Sequence, residues 1–72
     1  MIPLTYADLN EPNVIKKVGG STEMKKHLED MGFVTGSIVT VVSSIDGNLI
    51  VNIKETKVAL DKNLANKIMI QE

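Results

Sequence analysis

The sequence predicts a small, mostly β fold in which five short strands curl into a barrel around one inserted α-helix. Three observations predict it. Runs of β-branched residues recur along the chain and are broken by Gly, Asn and Asp at turn-like intervals. Only one stretch carries helical spacing of apolar residues. The chain has just 72 residues, and five strands in so small a sheet leave edges that closure into a barrel protects.

The first element is a helical turn near residues 5–9. Thr5 stands where a capping hydroxyl belongs, Asp8 follows three residues later, and Leu4 and Leu9 are spaced to staple over the turn. Asn10-Glu11-Pro12-Asn13 ends it, because Pro12 disfavours helical geometry at Glu11. Val14 to Val18 then reads as a strand, with Val14, Lys16 and Val18 on one face and Ile15 and Lys17 on the other. Gly19-Gly20 breaks that strand.

Ser21 or Thr22 caps the one true helix, expected over about residues 22–31, with Glu23 in the first turn where a negative charge suits the dipole. Met24, Leu28 and Met31 fall at i, i+4 and i+7 and make one apolar stripe. Gly32 accepts the left-handed conformation just past the helix, which brings Phe33 back over Leu28.

Thr35-Gly36 turns the chain into the strand Ser37 to Ser44. Asp46-Gly47 is a strong signal for a two-residue hairpin, since both central residues of a type I′ turn need positive φ. The return strand, Asn48 to Lys54, places Leu49, Val51 and Ile53 on one face and Ile50 and Asn52 on the other. A looser turn at Glu55-Thr56 leads to Lys57-Val58-Ala59-Leu60. Asp61 caps a second helical turn over about 61–66, and Lys67 to Ile70 is the last strand. No repeat, linker or low-complexity segment divides residues 1–72, so a single domain is expected.

Composition narrows the function. Cysteine is absent, which removes disulfides and thiolate metal sites. A formal net charge of −1 argues against a nucleic-acid surface, which needs a basic stripe to displace counterions. No apolar run approaches the ~20 residues that cross a bilayer, and the N-terminus lacks signal-peptide features; cytoplasm is the expected location. Two aromatics, Tyr6 and Phe33, are too few to line a proline-peptide groove.

With these elements placed, the chain resembles the ferrous iron transport protein A family (FeoA), small cytosolic domains of SH3-like barrel fold. The matching residues begin with Leu4-Thr5 and Leu9, Val14-Ile15 and Gly19-Gly20. The central block is Met24, Leu28, Met31-Gly32-Phe33-Val34 and Gly36, followed by Val39 and Val41-Val42. Val58-Ala59-Leu60, Ala65 and Ile68 complete it. Family members commonly carry Pro-Gly where this chain has Pro12-Asn13, and again where it has Thr35-Gly36; Asn tolerates left-handed geometry, so the fold accommodates the first change.

The resemblance implies an accessory protein of ferrous iron uptake that acts by protein–protein binding. The implied partner is the GTP-binding cytosolic part of the membrane Fe(II) transporter FeoB. It implies no enzyme activity and no cofactor. Related barrels lie at the C-terminus of iron-dependent repressors, which leaves a metal-sensing domain as the alternative.

Two sets of residues are candidates for function. Glu23, His27 and Asp30 have the spacing to flank one cation on a helix, in a carboxylate–histidine set that suits Fe(II). The same spacing equally describes the ordinary wet side of a helix. Met24, Lys25, His27 and Leu28 are the candidates for partner contact, Met being adaptable at an interface. Core packing is the competing reading for Leu28 and Met31 because of the closure by Phe33. Gly32, Phe33, Gly36, Asp46 and Gly47 are structural. The serines have no neighbouring base, and Gly19-Gly20-Ser21-Thr22 lacks the lysine of a phosphate loop.

Overall fold

The computed structural model describes residues 1–71. Its elements run in the order β1 (Ile2–Pro3), a 3-10 turn (Leu4–Tyr6), β2 (Pro12–Val18), α1 (Thr22–Asp30), β3 (Ile38–Ile45), β4 (Asn48–Ile53), β5 (Thr56–Leu60), α2 (Lys62–Ala65) and β6 (Ile68–Ile70). All strand pairs are antiparallel, in the spatial order β1-β6-β2-β3-β4-β5. The expected mostly β architecture with one inserted helix is therefore present, with six strands in place of five. The extra strand, β1, is two residues long and pairs Ile2 with Ile70 and Pro3 with Met69.

β2 belongs to both halves of the barrel. Pro12, Asn13 and Val14 pair with Thr40, Val39 and Ile38 of β3, whereas Ile15, Lys17 and Val18 pair with β6. The register shifts between Ile15 and Lys17, and a bulge of this kind adds one residue to one strand. The consequence corrects the simple alternation expected for this strand. Ile15 and Val18 are both buried and Val14 is exposed, because the extra residue flips the side-chain phase between them.

Among the described residues no ladder closes the seam between β5 and β1; helical turns bridge it instead. α2 packs on β4, β5 and the 3-10 turn, and the Thr5 hydroxyl donates to Asn66 Oδ1 at 2.9 Å across it. Asp61 caps α2 as expected, its Oδ1 accepting from the Leu64 N–H at 2.8 Å. The Lys62 N–H donates to Asn48 Oδ1 at 3.0 Å, which ties α2 to the β3–β4 hairpin.

The N-terminal turn departs from expectation. It is the shorter Leu4–Tyr6 segment with Pro3 at its cap and no side-chain capping bond, so Thr5 spends its hydroxyl on Asn66. Leu4 is buried but Leu9 is half exposed, so no staple forms. Asn10 rather than Asn13 takes the left-handed conformation, at φ 65°.

Both predicted hairpin functions of Asp46 and Gly47 hold, with φ of 53° and 85° between the paired residues Ile45 and Asn48. The next turn is tighter than expected and lies one residue earlier. Lys54 and Glu55 both have positive φ, between the paired residues Ile53 and Thr56. The core is aliphatic around Phe33, its largest fully buried side chain, and contains Leu4, Ile15, Leu28, Val39, Val51, Ile53 and Ile68. Among the described residues no polar or charged side chain is buried.

Candidate interaction surface

α1 is set at both ends by its own sequence. The Ser21 hydroxyl, not that of Thr22, accepts from the Met24 N–H at 3.2 Å and caps the first turn. At the other end Gly32 (φ 104°) reverses the chain. Its N–H bonds the Glu29 carbonyl at 2.9 Å and the Phe33 N–H bonds the Leu28 carbonyl at 3.0 Å. Those two bonds form the Schellman pattern, whose accompanying apolar contact lies between the residues here occupied by Phe33 and Leu28. Both are fully buried. The helix proper ends at Asp30 and Met31 is its cap residue.

The turn after the helix fastens this end to the barrel. Ser37 N–H donates to the Val34 carbonyl at 3.0 Å around Thr35-Gly36, with Gly36 at φ 93°. Ile15 of β2 then accepts from the Gly36 N–H at 2.8 Å and donates to the Ser37 carbonyl at 2.9 Å. The stem of Lys54 also lies over the helix end, so that a Cβ added to Gly32 would stand 3.4 Å from Lys54 Cδ and 3.5 Å from Ile53 Cγ1.

This scaffold sorts the candidate residues. Leu28 has no exposed surface, which corrects its place among the contact candidates: it anchors the helix and cannot meet a partner. Met24 and Met31 are half buried against the core, while Lys25 and His27 are exposed. Met24 therefore forms an apolar rim at the first turn of α1, flanked by solvated Lys25 and His27. Glu23, His27 and Asp30 are all exposed on α1. Among the described residues no group of three or more His, Cys, Asp or Glu side chains is placed to hold a metal ion.

A second surface was not singled out from the sequence. On the outer face of β3, β4 and β5, Ile45 is 70% exposed and Ile50 38%. With Ser43, Ala59 and Asp61 they line a groove of about 320 Å³. The alternation of β4 signals outward placement of Ile50, but only the pairing of Ile50 with both Ser43 and Ala59 shows that the apolar positions join.

Comparison with known proteins agrees with the fold. The FeoA domain family matches residues 2–72. A Methanocaldococcus jannaschii protein, assigned by its name to Fe(2+) transport protein A, is 31% identical over 72 residues, covering 100% of this chain and 88% of that protein. The iron(II) transport protein A of Clostridium thermocellum superimposes with a TM-score of 0.87 at 26% identity, over 97% of this chain and 44% of that one. The FeoA of Stenotrophomonas maltophilia, solved in complex with zinc and described as a prokaryotic SH3 domain protein, superimposes with a TM-score of 0.85 at 22% identity. That match covers 99% of this chain and 91% of that one. Sequence and architecture converge: the chain belongs to the FeoA domain family, small SH3-like barrels of ferrous iron transport.

Proposed function

We propose that this chain is a cytosolic accessory protein of ferrous iron uptake that binds the GTP-binding cytosolic part of the membrane transporter FeoB. The observation that carries the reading is the family match, which extends over residues 2–72 rather than one motif. The structure supplies a means. α1 is anchored from beneath by Leu28 and Phe33, so the rim at Met24, Lys25 and His27 is free to meet a larger protein. An adaptable thioether beside two polar side chains suits a contact that must tolerate a partner's change of shape. None of the helices in the described residues is long and apolar enough to cross a membrane, and the proposed membrane component is the partner.

Calorimetry of the chain against the transporter's cytosolic domain, in nucleotide-free, GDP and GTP-analogue states, tests this reading. Saturable binding that weakens about tenfold or more when Met24 is replaced by Glu is expected, as for an interface residue of moderate weight. Absence of binding in all states would falsify it. A direct Fe(II) sensor built on Glu23, His27 and Asp30 lacks comparable support, since these side chains form no three-ligand group.

A further inference from the structure

We propose that the free edge of β5 is a self-association surface, on which a second copy of this chain adds its own β5 antiparallel and continues the sheet. This surface is separate from the α1 rim and does not depend on the transporter reading.

The edge is open. β5 and β1 are the outermost strands of the order β1-β6-β2-β3-β4-β5. β1 is a poor acceptor, being two residues long and ending in Pro3, which has no N–H. β5 has five residues. Ile53 and Thr56 flank a two-residue turn, and such flanking residues exchange both of their ladder bonds. Alternation then commits Val58 and Leu60 to β4 and turns the N–H and C=O of Lys57 and Ala59 outward. Neither residue takes part in a main-chain bond outside the strand ladders, among the described residues.

The side chains select the occupant and the register. In a two-fold arrangement with Ala59 opposite its own copy, Lys57 comes opposite Asp61 of the second copy, on both sides of the axis. Asp61 lies just past β5, where its exposed carboxylate also caps α2. Directly opposed unlike charges stabilise a sheet and like charges destabilise it. A register centred on Lys57 would oppose two lysines, and one centred on Val58 would leave both charges unmatched.

The Ala59-centred register also matches apolar surface on each face. Outside, Ile50 pairs with Ala59, so the joined sheet carries an unbroken stripe from Ile50 through the two Ala59 residues to the second Ile50. Inside, half-buried Val58 comes opposite Leu60 of the second copy. The exposed Ile45 and the groove beside it lie at the rim of that stripe.

Sedimentation velocity on the full chain, over a range of concentration reaching millimolar, tests the proposal. A concentration-dependent dimer is expected. Ala59→Pro removes an outward N–H at an edge position that tolerates proline, and it should give a monomer with an unchanged circular dichroism spectrum. Lys57→Glu, which opposes two carboxylates, should raise the dimer dissociation constant about tenfold. If Ala59→Pro fails to fold, amide exchange in the unaltered chain decides: Ala59 should slow as concentration rises. A chain that stays monomeric throughout overturns the proposal, including where the edge instead accepts an extended segment of another protein. So does a dimer indifferent to both substitutions, or an Ala59 amide whose exchange ignores concentration.

Discussion

At the scale of single residues, two glycines with nearly the same backbone conformation do different work. Gly32 and Gly36 have φ of 104° and 93°. A Cβ on Gly36 would meet nothing within 4 Å, whereas one on Gly32 would lie in ordinary van der Waals contact with the Lys54 stem and Ile53. Left-handed geometry costs a side-chain-bearing residue roughly 1–2 kcal/mol. Gly36→Ala should therefore lower stability by about that amount, and Gly32→Ala by no more, because the added methyl meets ordinary contact rather than a clash where α1 meets the barrel. Urea titrations of both variants check this: both midpoints should fall with unchanged slopes, and a markedly larger fall for Gly32→Ala would show that the methyl is not accommodated there. Lys54 and Glu55 bear similar left-handed strain without being glycine. They are held there by the pairing of Ile53 with Thr56 and of the residues behind them.

At the scale of elements, α1 is the loosest of the long segments. The most extensive contacts between elements are those of neighbouring strands and of α2; none involves α1 to the same extent. Leu28 is its only buried side chain. Local opening draws on regions with few buried contacts. Amides of α1 should thus exchange with solvent faster than those of β3 and β4, and equal protection would mean that the helix opens only with the whole barrel. Truncating Leu28 removes the one fully buried side chain of α1; Leu to Ala in a core costs about 2–5 kcal/mol.

The elements also show what could be read from the chain and why. Ser21, Gly32 and Phe33 announce α1 because capping and helix termination are local matters of side-chain chemistry, and Asp46-Gly47 announces its hairpin for the same reason. The bulge at Ile15–Lys17 was not legible, since it is imposed by two different partner strands rather than by β2 itself. β1 escaped because two residues including a proline carry no strand signal. The turn at Lys54-Glu55 escaped because neither residue prefers positive φ. For the candidate surface, exposure of Lys25 and His27 followed from helix periodicity. The shared apolar patch of Ile45, Ile50 and Ala59 needed the strand register to bring it together.

At the scale of the whole molecule, the shared strand β2 dictates an order of assembly. β3, β4 and β5 are joined by two-residue turns and can zip with little loop closure. β6 must instead find β2 across some fifty residues, as in the pairing of Val18 with Ile68, and closing so long a loop costs entropy before any contact rewards it. The meander forms early on this reasoning and the chain ends dock last. Substitutions such as Val51→Ala should then slow folding, while Ile68→Val should mainly speed unfolding. Stopped-flow chevrons measure both, and a slowed folding limb for Ile68→Val would reverse the sequence of events. A strand that serves two neighbours at once thus acts as a clock for the fold, delaying closure until the ribbon it must close upon is already in place.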